Sequence, residues 1–327
     1  MVPITGAGGF FSPSGRRWPE GPDEGWATDR PVDLVPHNPH KPRAMSKAPK
    51  TRPDNRAALP LVAPFVIVYA ALFLYPTLQM LAMSLTDGQL ILPGEWVGLS
   101  NYLKLFRDWR FGNSVANTAY FVALTVVPGT LLGLGFAMLV VRLKGVWQAV
   151  VLAVFFLPYI LPVTTVTSIW TWFVYGPGQL VLPDRVLGRP PFVLPIAATI
   201  TVWWTVGFNV LLFMAGLKNI PAELYEAARL DGAGRWSQFR AITWPLIWPV
   251  TALVLTIQLI MQIKVFDQVY LLVQGGRVDA SMVLVQYIYT LAFQRNQGGY
   301  AATVAVALFV IVAAVSVLQF QLLRARR

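Results

Sequence analysis

Six long stretches of this chain carry no charged side chain: between Arg56 and Asp87, Arg110 and Arg142, Lys144 and Asp184, Arg189 and Lys218, Arg240 and Lys264, and Arg295 and Arg324. At about 1.5 Å per residue, a largely apolar run of roughly 20 residues crosses a bilayer as a helix. Only 13% of the 327 residues are charged and 56% are hydrophobic, whereas an ordinary soluble domain is about 25% charged. The expected fold class is therefore an all-α membrane protein. Six transmembrane helices are expected near 59–85, 115–141, 147–174, 193–217, 243–271 and 300–323.

An even number of spans puts both termini on one side, and segments rich in Lys and Arg stay in the cytoplasm during insertion. With the termini inside, the inner segments hold 18 of the 26 basic residues and the outer segments eight. Counting only from Met45 leaves 13 against eight. A multi-pass membrane protein with cytoplasmic N- and C-termini is expected.

The net charge of +11 does not point to nucleic acid, because the basic residues flank spans instead of forming one face. Topology and contact with anionic membrane lipid account for it. The absence of cysteine excludes disulfides, thiolate metal sites and cysteine catalysis. Residues 1–58 form a basic tail, rich in proline and glycine up to Arg56 and without apolar periodicity, and are expected to be disordered and cytoplasmic. The tail lacks the apolar core of a secretory signal. Met45 opens MSKAPKTRPDNR, a leader sufficient for the first span, and is the expected start of translation. His37 and His40 lie in this tail and are not expected to bind metal.

Residues 59–327 form the membrane domain. Pro64, Pro76, Pro128, Pro158, Pro162, Pro245 and Pro249 fall within or at the ends of its apolar runs. Each is a candidate kink that bundle neighbours can tolerate. Gly129, Gly133 and Ala137 recur every four residues, a spacing that lets helix backbones approach. The outer segment WVGLSNYLKLFRDWRFGNS mixes aromatics with charges, as a stretch at the interface does. QGGRVDASMVLVQYIYTLAFQRNQGG reads as an interfacial or re-entrant helix.

The inner segment NIPAELYEAARLDGAGRWSQFR interrupts two apolar runs with charge. Pro221 suits the entry to a helix, and Glu223 favours the positive end of its dipole. Leu224, Ala227 and Ala228 give a small apolar face, with Glu226 and Arg229 projecting from the rest. Asp231 and Gly232 close the helix, glycine being free to take the left-handed conformation. So short a helix is unstable alone. It needs either the lipid surface or a protein groove.

The string EAARLDGAGRWSQFRAITWPLIWP resembles the EAA signature of ABC-importer permeases. Glu226, Ala227, Ala228, Asp231, Gly232, Ala233, Phe239, Ile242, Pro245 and Pro249 match its pattern. The likeness runs from about Leu59 to the end, through VGLSNYLKLFRDWRFGNSVANTAYF, WWTVGFNVLLFMAGLKNIP and FDQVYLLVQGG. It is to carbohydrate-uptake permeases of the maltose and glycerol-phosphate type. QGGR departs from the family, which has three glycines and a proline there.

The resemblance implies a type I ABC importer permease fold in a complex of defined parts. Its partners would be a second homologous permease, two ATP-binding-cassette ATPase subunits and an extracytoplasmic solute-binding protein. The segment 221–230 would be the coupling helix, with Glu223, Glu226, Ala227, Ala228, Arg229, Asp231, Gly232 and Ala233 engaging an ATPase subunit. The chain has no GxxxxGK[ST] loop. No cofactor is expected on it, and ATP and Mg would bind the ATPase partners.

Polar groups at membrane depth usually face the bundle interior or a water path. Asn209, Gln258, Gln262, Lys264, Asp267 and Tyr270 are the candidates for the substrate pathway. Gln258 and Gln262 share a helix face. Amides with aromatic rings suit a sugar, which offers hydroxyls at its edge and C–H surface on its face. The alternatives are interhelical bonding by the amides and a mere end-of-helix role for Lys264 and Asp267. Trp203 and Trp204 read as interfacial anchors. No nucleophile, acid and base come together in the spans, so the chain is expected to be a transporter subunit and not an enzyme. Glycerol phosphate, an acidic oligosaccharide or another polar solute is an alternative cargo. An ion-coupled carrier using Lys264 and Asp267 is a more distant alternative.

Overall fold

The computed structural model describes residues 55–175, 190–273 and 279–324. The expectations for residues 1–54, for most of the segment between the third and fourth spans and for the QGGR turn lie outside them. Leu59–Arg327 form one unit by their own contacts.

All the regular elements among the described residues are helical. They are α1 (Asn55–Tyr69), α2 (Tyr75–Met83), α3 (Ser100–Arg107), α4 (Trp109–Val140), α5 (Gly145–Ile160), α6 (Val163–Tyr175) and α7 (Pro190–Lys218). There follow α8 (Ala222–Leu230), α9 (Arg235–Gln238), α10 (Trp244–Ile263), α11 (Asp267–Leu272), α12 (Leu284–Tyr289) and α13 (Gly298–Arg324). Single wide turns at Ala70–Leu74, Phe239–Thr243 and Thr290–Gln294 join neighbouring helices. The first two precede Pro76 and Pro245 directly. A proline has no N–H to give the carbonyl four residues back, and a π turn shifts the ladder by one residue to absorb the loss.

Five helices or helix pairs are long and apolar enough to span a bilayer, and the bent pair α5 and α6 makes a sixth. The expected single helix 147–174 is in fact broken at Leu161 and Pro162, where α5 and α6 meet at 94°. Pro162 ends α5 by excluding helical geometry from the residue before it. The indole of Trp204 donates to the Leu161 carbonyl at 3.2 Å, which satisfies a group that the break would otherwise leave bare. The expected fifth helix also divides: α10 stops at Ile263, and α11 begins after the Lys264–Phe266 corner.

At the centre α4 packs along α7, with α5 and α10 beside them. A Cβ on Gly133 would come within 2.6 Å of the Asn209 Cβ, so the four-residue repeat of small residues is the seam where α4 and α7 approach. Gly207 meets α5 still more tightly, since a Cβ there would lie 1.8 Å from the Phe155 carbonyl oxygen. Buried Leu134, Ala137 and Val140 close this core against Val210, Phe213 and Ile247.

Within the segment read as an interfacial or re-entrant helix, one face is buried: Met282, Val283, Leu284, Tyr287 and Leu291 are all at most 1% exposed, while Phe293 is 64% exposed. It is pinned at Asp108, which caps α4 by accepting from the Arg110 N–H at 2.9 Å. The other carboxylate oxygen accepts from Tyr300 at 2.7 Å and, in a short contact, from Tyr287. Burial pulls the Asp108 carboxyl upward, but the two tyrosine hydroxyls and the Arg110 and Phe111 N–H groups together bring it below the usual value. Burial and the Asp108 carboxylate push the Tyr287 phenol up. By contrast, α1 and α2 have no buried residue in their spanning window.

Two outcomes check this packing. Gly207→Ala forces the backbones of α5 and α7 apart and costs about 1–3 kcal/mol, whereas Gly135→Ala, which meets nothing within 4 Å, is neutral or stabilises by up to ~1 kcal/mol. Denaturant titration of the purified chain reads the difference, and equal effects would contradict the close approach. Because folding lowers the Asp108 pKa, its contribution is present above the ordinary carboxylate range and is lost as pH falls through the folded value. Stability of Asp108→Asn, compared with wild type between pH 6 and 3, loses that part of the acid slope.

Candidate functional site

Two groups of residues singled out in the sequence adjoin α7, one at its C-terminal end and one along its length. At its C-terminal end α8 stands clear of the bundle. Pro221 precedes the first turn and Glu223 lies within it. The Ala233 N–H reaches the Ala228 carbonyl at 2.8 Å and the Gly232 N–H the Arg229 carbonyl at 3.1 Å, the paired bonds of a Schellman stop. Gly232 sits at φ +78°, where a side chain would be strained.

Glu223, Glu226, Ala227, Arg229, Asp231 and Gly232 are exposed, and Ala228 and Ala233 are half-buried. Leu230 is 90% and Trp236 72% exposed, so this end carries large apolar side chains that the chain does not cover. The helix is nevertheless tethered. Tyr225 shares a hydrogen bond with Thr243 at 2.9 Å, linking α8 to the wide turn that opens into α10. Gln238 donates to the Ala233 carbonyl at 2.8 Å, bracing the reverse turn. A cavity of about 750 Å³ lies behind, with Arg142, Arg229 and Arg235 in its wall.

The second group gathers between α4, α7 and α10. Asn209 is 1% exposed, Gln258 3% and Gln262 3%. Asn209 donates to the Gly129 carbonyl at 3.1 Å, and Gln262 donates to Gln258 at 2.9 Å. The three amides are thus closed inside the chain; the Asn209 bond joins two helices, as the packing alternative requires, whereas the Gln262–Gln258 bond stays within α10. One atom is left over: the Asn209 side-chain oxygen is buried with no hydrogen-bond partner, which leaves it free to accept from a water or a hydroxyl.

Lys264, Asp267 and Tyr270 are separate from the amides. Lys264 is exposed at the end of α10, while Asp267 begins α11 and is half-buried like Tyr270. Tyr270 stacks on Phe266 with centroids 5.0 Å apart and meets Tyr289 edge-on at 5.3 Å. Phe293, 64% exposed, extends this row. Trp203 meets Trp170 edge-on and is 44% exposed, and Trp204 is committed to the α5 break. The aromatic row and the Gly129 acceptor were not visible in sequence, since residues on separate helices make them and neither has a local signature. Among the described residues no cluster of His, Asp or Glu can hold a metal ion.

The model for binding-protein-dependent transport system inner membrane components matches residues 129–327. The chain is similar to the arabinooligosaccharides transport system permease protein AraP of Bacillus subtilis, at 32% identity over 80% of this chain and 86% of that one. It is also similar to the sulfoquinovosyl glycerol transport system permease protein SmoG of Agrobacterium fabrum, at 29% identity over 84% and 92%. Its fold matches a chain in the crystal structure of a bacterial ABC transporter involved in the import of the acidic polysaccharide alginate. That match has a TM-score of 0.71 over 83% of this chain and 96% of that one, at 21% identity. The chain therefore belongs to the binding-protein-dependent transport system inner membrane components, and is a multi-pass, non-catalytic permease subunit of an ABC importer.

Proposed function

We propose that this permease carries a neutral sugar or oligosaccharide, delivered by an extracytoplasmic binding protein, and is driven through α8 by a separate ATPase subunit. The observation that carries the proposal is α8 itself: a short helix, stopped by Gly232, projecting Leu230 and Glu226 away from the body that anchors it. A helix that cannot persist alone is held here at both ends, which suits it to pass force from a docked partner into α10. ATP and Mg would bind that partner. A second permease would complete the translocation path, and the uncovered aromatic ladder Phe65, Tyr69 and Phe73 on α1 and the turn after it suits such a neighbour. The surplus of basic residues on the α8 side supports cytoplasmic termini.

The cargo class rests on the uncharged amides and rings. The relatives named above include carriers of neutral and of acidic saccharides by their titles, but no cation accompanies Asn209, Gln258 and Gln262 in their buried group. Tyr270, with Phe266 and Tyr289, offers faces for sugar C–H surface, and the free Asn209 oxygen offers an acceptor for a hydroxyl. Lys264 and Asp267 flank this entrance. Family membership sets aside the ion-coupled carrier.

Two experiments test these roles. In the complex of this chain with its co-expressed partner subunits, Gly232→Pro removes the left-handed stop and Glu226→Ala removes an exposed acid. Each is expected to reduce binding-protein-stimulated ATPase roughly tenfold, about 1.4 kcal/mol of coupling, or to prevent co-purification of the ATPase. Full stimulation with intact assembly in both variants would rule out α8 as the docking element. For cargo, Tyr270→Ala is expected to raise the sugar concentration for half-maximal uptake about fivefold, from a lost ring contact of ~1 kcal/mol, whereas Tyr270→Phe, which keeps the contacts with Phe266 and Tyr289, is expected to retain uptake. Asn209→Leu removes the bond that ties α7 to the Gly129 carbonyl of α4, at about 0.5–1.5 kcal/mol, and is expected to lower both stability and uptake. If it lowers stability alone, Asn209 is a packing residue only.

A further inference from the structure

Helix α3, at the end of the bundle opposite α8, divides its surface into three. Asn101 and Leu105 are buried, and Asn101 donates to the carbonyls of Ser84 and Thr86 at 3.1 and 2.8 Å. Leu99, Leu103 and Phe106 follow at helical spacing on a second face, 67%, 68% and 83% exposed. Ser100, Lys104 and Arg107 repeat the same spacing on a third face and are also exposed. Beside this third face lies an open cavity of about 680 Å³, walled by Lys104, Arg107, Arg110, Arg295, Gln297 and Tyr300 among others.

The charges in the cavity do not cancel. Arg110 is paired with Asp279 at 3.2 Å, the one salt bridge among the described residues. Asp108 also lies in the wall, but its oxygens are taken by Tyr287, Tyr300 and the Arg110 N–H. Lys104 rests over the Tyr300 ring at 4.3 Å, a contact that leaves its charge in place. Lys104, Arg107 and Arg295 therefore converge on one cavity with no carboxylate within ion-pair distance. Cations at this end also oppose the proposed orientation, since translocated Lys and Arg disfavour it.

We propose that the cavity holds the phosphate headgroup of an anionic phospholipid, with its acyl chains lying over Leu99, Leu103 and Phe106. The juxtaposition identifies the occupant. A soluble anion would need only the cations, and a protein partner would not require an apolar strip facing the level of the acyl chains. A helix with one basic and one apolar exposed face is the form that lies in a membrane interface. Arg guanidinium groups suit a phosphate, because their planar donors match its oxygens. The bound lipid would staple α3 to the loop before α13, beside the bonds by which Asp108 ties the end of α3 to Tyr287 and Tyr300. The inference does not depend on the cargo or on α8.

The test compares the full chain with a Lys104→Gln, Arg107→Gln, Arg295→Gln triple variant in nanodiscs of phosphatidylcholine containing a minority of phosphatidylglycerol. Lipid retained through detergent extraction is measured by native mass spectrometry. Wild type is expected to retain phosphatidylglycerol over phosphatidylcholine, and the triple variant to lose that preference by about fivefold per cation removed. Leu103→Ser with Phe106→Ser is expected to weaken retention as well, although the cations remain. An unchanged preference in the triple variant, with helical content intact by circular dichroism, would overturn the proposal. Soluble glycerol phosphate that displaces the lipid at equal concentration, with no effect of the two serine substitutions, would reassign the site to a free phosphate. If the triple variant keeps its lipid but loses stimulation by the binding protein, the face belongs to that protein and the lipid assignment fails.

Discussion

A chain that crosses a bilayer must satisfy every backbone N–H and C=O from within, because the hydrocarbon offers no water. Each irregularity of this permease is built around that demand. Where Pro76 and Pro245 withdraw a donor, the wide turns at Ala70–Leu74 and Phe239–Thr243 re-register the ladder. Where α5 and α6 part at 94°, Trp204 reaches across from α7 to the exposed Leu161 carbonyl. Thr118, Thr125, Thr167, Thr201, Thr205 and Thr251 return their hydroxyls to carbonyls of their own helices. Polar side chains can thus lie at depth without waiting on a partner.

That economy leaves few free polar atoms, and the exceptions acquire meaning. Asn209 spends its amide hydrogen on Gly129 and keeps an unpaired oxygen in the middle of the bundle. The seam of Gly129 and Gly133 is what brings α4 close enough for that bond, so the small-residue spacing and the polar site are one feature of the packing. At the α8 end the same tightness makes a lever. Tyr225 binds Thr243 inside the wide turn, and a displacement of α8 must either break that bond or carry the start of α10 with it.

The apolar runs made the spans legible, since any stretch that long without charge has few other uses, and the EAA-like string located α8 and its glycine stop. Proline was less informative. Pro128 and Pro158 lie inside continuous helices, whereas Pro162 accompanies a complete break, because only there do α6 and the Trp204 indole exist to receive the redirected chain. The segment 282–294 reads as interfacial or re-entrant from its mixture of aromatics and polar residues, and the structure divides its rings: Tyr287 turns to Asp108 and the core, while Tyr289 and Phe293 join the row with Tyr270. Asp108 and Tyr287 are 179 residues apart. No local pattern encodes a contact made that late in the chain.

The two ends of the bundle show how different surroundings shape similar composition. Both α3 and α8 are short, charged and uncovered, and each presents large apolar side chains to the outside. At α8 the exposed residues are scattered around a tight turn, with acids beside them, and the helix stands off the body on a hinge of two hydrogen bonds. Such a shape fits a groove in another protein. At α3 the apolar side chains form a strip along the helix, the cations form another, and the third face is locked to the body through Asn101. A flat interface can satisfy all three at once, because it supplies hydrocarbon, anion and support in parallel layers. The arrangement of the exposed residues, more than their identity, therefore separates a lever that must move from a float that must stay at one depth.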